Sequence, residues 1–434
     1  MVQIAARTFL FLQGPHGPFF STLAKALARA GHRTIRVGVN GGDGMFQRGF
    51  GDYLRYEGDP SDWATWLETF IAERAVTDLV LYGTERPLHA EALNIANRLS
   101  LRTHIFEEGY IRPWWVTYER GGSNAASRLM KMDVCEMEMA LTAAGAEGDP
   151  PRAAPARWGD TKEHVFWSAV YHAAVLAGSL GKRPFPTHRE PGIPAELALT
   201  LRHLVLVPWA ALSRRRARWA LSRAAAPYHL VLLQLAHDAN FRAASPYESV
   251  NALIEDMVLA FAAGAPAHHH LVFKAHPLED GRLPLARHIQ RAVRRAHLNN
   301  RVHFMTGAPL APLLDGAIGA VTVNSTAAHQ ALWRGLPVKV LGRAPFKKPE
   351  FTSSQSLQAF FLSPERPDRE AYFIFRRYLL ATCQVPGGFY AARARRRLLR
   401  EIIDPILAEK DPFDALNPAD AGTQHLRLVG KIKA

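Results

Sequence analysis

Two adjacent glutamates are the side chains in this sequence best suited to acid–base chemistry. Glu107 and Glu108 follow a short apolar run and precede Gly109, which lets the chain turn sharply. Adjacent carboxylates raise each other's proton affinity, so one of them can act as a general base near neutral pH. The same spacing also suits a solvated acidic turn, or an ion pair with Arg112. Both glutamates are therefore candidate catalytic residues.

A third carboxylate, Asp238, lies four residues after Gln234 at the end of another apolar run. A carboxylate that leaves a buried strand is well placed to attack an electrophilic carbon, as the nucleophile of a retaining glycosidase does. An aspartate in this place also commonly caps a helix. Asp238 is therefore a candidate nucleophile, with helix capping as the alternative.

Cationic and hydroxyl side chains follow two further apolar runs. The run VFKAH stops at a proline that fixes the backbone, so its histidine can donate to a phosphate and its lysine adds charge. In the sequence VNST, hydroxyls and free N–H groups precede a helical pattern and could seat a phosphate. The alternatives are a capped strand end and a helix N-cap. The candidate phosphate-binding residues in these two segments are Lys274, His276, Pro277, Asn324, Ser325 and Thr326.

Two glycine-containing turns occur near the N-terminus. The segment QGPHGPFF follows an apolar run, and its glycines would let a ligand approach the backbone closely. The alternative is a tight turn that sends Phe19 and Phe20 into the core. The second turn, NGGD, ends the next apolar run. The candidate acceptor- or sugar-binding residues in these turns are Gln13, Gly14, His16, Gly17 and Asn40.

The elements that carry these residues alternate between strand and helix patterns, which predicts doubly wound parallel sheets. A first series is predicted as strands 8–12, 34–39, 78–82 and 102–106 with helices 19–30, 62–73 and 88–99. A second series is predicted as strands 229–235, 271–275, 302–304, 318–323 and 338–341 with helices 246–263, 285–296 and 326–334. Every candidate above would then lie just after a strand, and we expect them to line the cleft between two lobes.

The length of 434 residues suits two domains. We predict an N-terminal domain at 1–200 with a helical insertion, a second Rossmann-like domain at 226–380 and a helical tail at 381–434. Residues 182–198 read as an irregular connection. The apolar window Val165–Leu180 is barely long enough to span a bilayer and contains a histidine, so we expect a buried or interfacial helix and no transmembrane span.

The net charge of +14 favours anionic partners. Cys135 and Cys383 form no metal-ligand or disulfide pattern, which fits a reducing compartment. Residues 268–270 are all histidine, yet no carboxylate or cysteine stands at ligand spacing, so a loop is favoured over a metal site. No RNA-binding motif or zinc finger is present, and we therefore predict no nucleic-acid partner.

Taken in order, these motifs resemble those of a known family. The motifs at 107–109, 276–277 and 325–326 are similar to the three signatures of bacterial CMP-sialic acid and polysialic acid transferases. Longer segments, namely QGPHGPFF, NGGD, TDLVLYG with RPLH, and FEEGYIRPWWVTYERGG, resemble the KpsS/LipB family of capsular polysaccharide proteins. That likeness covers most of residues 9–125 and returns around 230–345.

The resemblance implies a GT-B-like α/β fold, in which two Rossmann-like domains with parallel sheets face a central cleft. It also implies a retaining β-Kdo transferase (Kdo is 3-deoxy-D-manno-oct-2-ulosonic acid) that uses CMP-β-Kdo to start the capsule linker on a phosphatidylglycerol-type lipid. In this sequence His276, Ser325 and Thr326 would hold the CMP phosphate, and Asp238 would be the nucleophile. The remaining implied roles are acceptor chemistry for Glu107 or Glu108, CMP-sugar binding for Gln234, Asn324 and Lys274, and sugar or acceptor binding for Arg112.

The implied partners are a nucleotide-sugar donor, an anionic lipid acceptor, the inner-membrane surface and other capsule synthesis or export proteins. The protein is then expected in the cytoplasm, peripheral on the inner face of the inner membrane. No cofactor or metal is expected, because histidine and hydroxyl donors can stabilise the departing CMP. Two alternatives remain open: another CMP-sugar transferase of the sialic acid type, and a non-catalytic capsule export factor.

An anionic lipid acceptor also gives a role to two arginine-rich segments, 214–223 and 393–400. Basic side chains near a membrane surface are attracted to acidic headgroups. We predict that these segments dock on the membrane together with Trp219, Leu398 and Leu399, the alternative being solvated helix faces.

Overall fold

A computed structural model gives the structure of the chain. The residues that it describes are 6–146, 161–179, 215, 226–277, 279 and 281–416. The predicted connection at 182–198 and all but one residue of the segment 214–223 lie outside these ranges.

Twelve strands are present in the described residues, and they form two sheets. The strands are β1 Thr8–Phe11, β2 Arg33–Gly38, β3 Asp52–Arg55, β4 Asp78–Tyr82, β5 Arg102–Glu108, β6 Trp115–Glu119, β7 Tyr228–Leu232, β8 His270–Lys274, β9 Val302–Met305, β10 Ala317–Thr322, β11 Val338–Val340 and β12 Gln384–Pro386. The first sheet has the order β12-β6-β5-β4-β1-β2-β3, and the second has the order β11-β10-β7-β8-β9. Pairing is parallel except between β5 and β6 and between β6 and β12.

Both sheets contain the same parallel core, in which each lobe's first strand lies between its second and fourth. This 3-2-1-4-5 order is that of Rossmann-like doubly wound sheets, and it confirms the predicted α/β class with two such domains. Strands at the centre are covered on both faces, so they appear in the sequence as continuous apolar runs. In β1, Phe9, Leu10 and Phe11 have no exposed surface.

The helices cover the sheets and connect successive strands. They are α1 Phe19–Arg29, α2 Gly41–Met45, α3 Trp63–Glu73, α4 Pro87–Arg98, α5 Val134–Ala143, α6 Thr161–Ser179, α7 Ala239–Ala244, α8 Val250–Gly264, α9 Leu285–Arg295, α10 Leu310–Asp315, α11 Ala328–Trp333, α12 Leu357–Leu362, α13 Arg369–Thr382, α14 Ala392–Leu407 and α15 Pro412–Ala415. In the part of the chain that is described, no helix has the length and apolar character needed to cross a bilayer.

The C-terminal segment returns to the first lobe. Strand β12 pairs with β6 at the edge of the first sheet. Helix α14 then packs Leu398, Ile402 and Ile406 into the same apolar cluster as Phe11 and Phe19. The predicted tail at 381–434 thus completes the core of the N-terminal lobe as far as it is described. The prediction that Leu398 docks on a membrane is wrong, because this side chain is fully buried.

Helix α5 comes before the second lobe in the chain but packs against that lobe. It lies within the predicted N-terminal domain, but Val134, Met137 and Leu141 belong to the apolar cluster that covers the second sheet. Helix α5 packs there against α13. The chain therefore crosses between the lobes twice. Helix α5, before the second sheet, packs on the second lobe, and β12 and α14, after it, return to the first.

A buried ion pair ties three parts of the first lobe together. Arg7 contacts Asp78 through two nitrogens, and His104 Nε2 lies 2.9 Å from the same carboxylate. Burial opposes ionisation of Asp78, but hydrogen bonds from His104 and Arg7 outweigh it and lower its pKa below the ordinary value. Arg7 Nη1 also donates to the carbonyl oxygen of Ile406 at 3.2 Å, which ties in the end of α14.

Candidate active site

A cavity of about 580 Å³ lies between the two lobes, at the carboxyl ends of the second sheet's strands. Ligands of open parallel sheets bind at this edge. The wall from the first lobe comes from the end of β5 and from segments after β5 and β6. The wall from the second lobe comes from the carboxyl ends of its five strands and the segments that follow them. The predicted site residues in this wall are Glu107, Glu108, Arg112, Gln234, Asp238, Lys274, His276, Pro277, Asn324, Ser325 and Thr326.

The other predicted ligand-binding residues lie outside this wall: Gln13, Gly14, His16, Gly17 and Asn40. Helix α6 covers their turns, because the ring of Tyr171 stacks on His16 with centroids 4.4 Å apart and its hydroxyl bonds Asn40. Gln13 Nε2 donates to the buried Asp43 at 3.2 Å. The region therefore consists of tight, packed turns, as in the alternative given above. These residues do not line the cavity.

The two glutamates have different surroundings. Asn124 Nδ2 donates to Glu107 Oε2 at 3.3 Å. Burial raises the pKa of Glu107 to about 7, and the charges of Glu108 and Asp238 add to the rise. Such a group is poised to exchange a proton near neutral pH.

Glu108 is held by two tyrosines. Its Oε1 accepts hydrogen bonds from the hydroxyl of Tyr390 at 3.0 Å and from that of Tyr82 at 3.3 Å. Tyr390 follows β12, so the C-terminal segment that returns to the first lobe supplies this contact. The environments of the two carboxylates differ, which is how paired acids in active sites acquire different roles.

Asp238 caps α7 and also lines the cavity. Its Oδ1 accepts from the backbone N–H of Asn240 at 2.9 Å, so the capping alternative is confirmed. Burial raises the pKa of Asp238 above its ordinary value, while backbone hydrogen bonds and Arg112 oppose the rise. The cap fixes the side chain on the cavity wall.

Lys274 and His276 form one side of the cavity at the end of β8. Burial lowers the pKa of Lys274 to about 8, so the ammonium group stays mostly charged at neutral pH. Burial, with the positive charges of Arg112 and Lys274, lowers the pKa of His276 to about 3. His276 is therefore a neutral imidazole at pH 7, able to donate one hydrogen bond.

The floor of the cavity lies at the point where the second sheet's strand order reverses, between β7 and β10. Gln234 Nε2 donates to Asn324 Oδ1 at 2.7 Å, and Asn324 N donates to Gln234 Oε1 at 3.1 Å. Ser325 Oγ accepts from Ala327 N at 3.3 Å. Helix α11 begins at Ala328 and has six residues, so it starts later than predicted.

Several cavity residues were missed by the sequence reasoning. Arg343 follows β11, and its Nη2 donates to the carbonyl oxygen of Ala125 at 3.1 Å, which joins the two lobes at the cavity. The segment from Gly307 to Ala311 follows β9 and enters α10. The strands before both segments were predicted, so the rule that ligands bind after parallel strands could have found them.

No group of three histidine, cysteine, aspartate or glutamate side chains that could hold a metal occurs among the described residues. In the histidine run, His270 is paired with His303, and the two ring nitrogens lie 2.8 Å apart. His270 is at the start of β8, the opposite end of the strand from Lys274. This pair is therefore remote from the cavity.

Comparisons with known proteins agree on one family. The chain matches the model described as capsule polysaccharide biosynthesis protein over residues 77–390. It is 31% identical over 406 residues to the capsule polysaccharide export protein KpsS of Escherichia coli, which covers 90% of this chain and 98% of that protein. It is 30% identical over 395 residues to the capsule polysaccharide modification protein LipB of Neisseria meningitidis serogroup A, covering 89% and 92%.

A solved structure is similar over a comparable length. KpsC of Thermosulfurimonas dismutans, described as a beta Kdo 2,7 transferase, aligns with a TM-score of 0.44 and 12% identity. The alignment covers 91% of this chain and 99% of that chain.

Proposed function

Because the chain belongs to the capsule polysaccharide biosynthesis family, we propose that it is a retaining glycosyltransferase. The proposed donor is CMP-β-Kdo, and the proposed acceptor is a phosphatidylglycerol-type lipid that starts the capsule linker. One observation supports this most: Lys274 and His276 from one lobe share a cavity with Glu107 from the other. The proposed phosphate-binding residues thus share one cavity with a carboxyl group whose pKa is near neutrality.

On the donor side, the departing CMP gains negative charge on its phosphate. The charged Lys274 and a hydrogen bond donated by neutral His276 would stabilise that charge in a water-poor site. Arg112 lines the same cavity and would pair with the carboxylate of the sugar. In this scheme Lys274 and His276 stabilise the leaving group, and Arg112 binds the sugar.

Two displacements give retention of configuration. In the first, the Asp238 carboxylate attacks the anomeric carbon, the bond to CMP breaks, and CMP leaves with the bonding electron pair. In the second, Glu107 takes the proton of an acceptor hydroxyl, whose oxygen displaces Asp238 from the same carbon. Glu108, held by its two tyrosines, contributes the charge that helps to keep the pKa of Glu107 near 7.

The test is a transfer assay with the purified full chain. CMP-Kdo is generated in situ, because it is labile, and supplied with a fluorescent phosphatidylglycerol analogue. We expect a Kdo-lipid product whose linkage is read by NMR, formed equally with and without a chelator. Asp238→Ala and His276→Ala should abolish the product, whereas Glu73→Gln, an exposed change at the end of α3, should not.

Other outcomes would replace this proposal. Turnover of CMP-sialic acid in place of CMP-Kdo would indicate a transferase of the sialic acid type. Normal capsule assembly in cells that carry folded Asp238→Ala or His276→Ala protein would indicate a non-catalytic export role, as the name of the Escherichia coli relative suggests.

A further inference from the structure

Helix α6 turns an apolar face to solvent. Its exposed residues from Val165 onward recur at helical spacing and carry no charge or hydrogen-bonding side chain. Val165 and Phe166 are 51% and 59% exposed. The outer face of a helix on a soluble protein is normally polar. We name this surface the apolar face of α6, and its residues are Val165, Phe166, Ala169, Ala173, Leu176 and Ala177.

Helix α14 turns a basic face to solvent. Arg393, Arg396, Arg397 and Arg400 are all exposed and recur at intervals of three to four residues, which places them on one side of the helix. The opposite side of α14 is anchored in the core of the first lobe. We name these four residues the arginine face of α14.

The two helices begin side by side. Trp167 Nε1 of α6 donates to the carbonyl oxygen of Tyr390 at 3.2 Å. The ring of His164, one turn earlier, lies 4.6 Å from that of Tyr390. Tyr390 is two residues before the first residue of α14, and Arg395 Nη1 donates to the same carbonyl at 2.9 Å. Tyr390 thus joins the inner sides of the two helices, opposite the apolar face and the arginine face.

The junction also reaches the candidate active site. The Tyr390 hydroxyl donates to Glu108, whose neighbour Glu107 is the proposed base. Tyr390 therefore connects the start of both helices with the acidic pair.

We propose that the apolar face of α6 and the arginine face of α14 dock the protein on an anionic phospholipid bilayer. Helix α6 would lie in the plane of the interface with Phe166 and Val165 among the acyl chains, as amphipathic interfacial helices do. The arginines would meet acidic headgroups, whose charge is complementary to theirs. The choice of a lipid partner rests on the proposed function, whereas the two faces follow from exposure and contacts alone.

Vesicle co-sedimentation of the full chain without donor tests this surface. We expect binding to mixed phosphatidylcholine–phosphatidylglycerol vesicles, weakened by salt, and little binding to phosphatidylcholine alone. The double variant Val165→Ser/Phe166→Ser should bind at least roughly tenfold less, because two apolar side chains lose their burial in the bilayer. Arg396→Gln/Arg397→Gln should bind less and depend less on salt.

Matched controls lie on the second lobe. Leu259 of α8 is 61% exposed, and Leu259→Ser should leave vesicle binding unchanged. Arg291→Gln/Arg294→Gln removes two exposed arginines from α9 and should also leave it unchanged. Equal binding by the α6 variant and the wild type, or equal losses in the α9 control, would overturn the proposal. So would conversion of a wild-type dimer to a monomer by the α6 variant, since a second copy would then cover the face.

A soluble acceptor separates this surface from the proposed function. With a short-chain, micelle-free phosphatidylglycerol analogue, the folded α6 variant should transfer Kdo as fast as the wild type. If the wild type makes no product with either acceptor yet binds vesicles through α6, the proposed function fails and the docking surface stands. If the variant loses transfer to the soluble acceptor as well, α6 acts on the site and not as a docking surface.

Discussion

Replacing Glu108 by glutamine should move the rate–pH profile of Kdo transfer to lower pH. The proposed base Glu107 works only when it has lost its proton, so kcat/KM should rise as the pH passes through about 7 and then level off. Removing the negative charge of Glu108 makes that loss easier and lowers the pKa of Glu107. The glutamine keeps an oxygen that can accept from Tyr390 and Tyr82.

The size of the movement follows from the causes of the raised pKa. The pKa of Glu107 rises from an ordinary 4.5 to about 7, and burial is the largest cause, followed by the charge of Glu108. We expect the loss of this charge to lower the pKa of Glu107 by about one pH unit, equivalent to about 1.4 kcal/mol. At pH 6 the fraction of Glu107 in the basic form would increase about fivefold.

The assay is kcat/KM for the acceptor lipid, because Glu107 acts in the second displacement, measured across pH and normalised to its plateau for each variant. Glu73→Gln removes an exposed carboxylate from the same lobe and should leave the midpoint unchanged. A midpoint that stays at about 7 in Glu108→Gln would refute the coupling between the two glutamates. Full activity in Glu107→Gln would refute its role as the base.

Two further predictions concern other charged residues. Asp78→Asn should lower the free energy of unfolding in urea by about 3–5 kcal/mol, because Arg7 keeps a buried charge without its partner. Folding lowers the pKa of Asp78, so its ionised form stabilises the folded protein. In the wild type this stabilisation should be lost as the pH falls below the ordinary aspartate range. Lys274→Gln should weaken CMP binding, measured by calorimetry, by roughly tenfold to a hundredfold. Wild-type CMP affinity should itself fall as the pH rises through about 8.

Each of these two variants has a matched control. Asp52 pairs with Arg33 at the surface and is about half exposed, so Asp52→Asn should change the unfolding free energy by about 1 kcal/mol or less. Lys25→Gln removes an exposed lysine from α1 and should leave CMP affinity unchanged. A pH-independent CMP affinity in the wild type would contradict the role given to Lys274.

The central strands could be predicted because strands buried on both faces appear in the sequence as continuous apolar runs. Strand β4 was predicted with its observed bounds, since both its faces are covered and its residues form an apolar run. Both edge strands of the first sheet were missed. Strand β3 is half-exposed and polar, and β12 has only three residues. Neither has a pattern that local sequence can reveal.

The candidate site could be predicted in part for a similar reason. Strand ends in parallel sheets converge, so Gln234, Lys274 and Asn324 could be placed together without knowing any contact. Contacts between distant segments could not be foreseen. The packing of Tyr171 on His16 removes the N-terminal turn from the cavity, and no local pattern near His16 indicates it.

The path of the chain has a consequence for how the protein is made. The first lobe's core needs Leu398 and Ile402, and Arg7 is anchored to a carbonyl almost 400 positions later. Because the ribosome synthesises the chain from the N-terminus, the apolar surface of the first strands stays exposed until nearly the whole polypeptide has been made. Fragments that stop before α14 should therefore need chaperones to stay in solution.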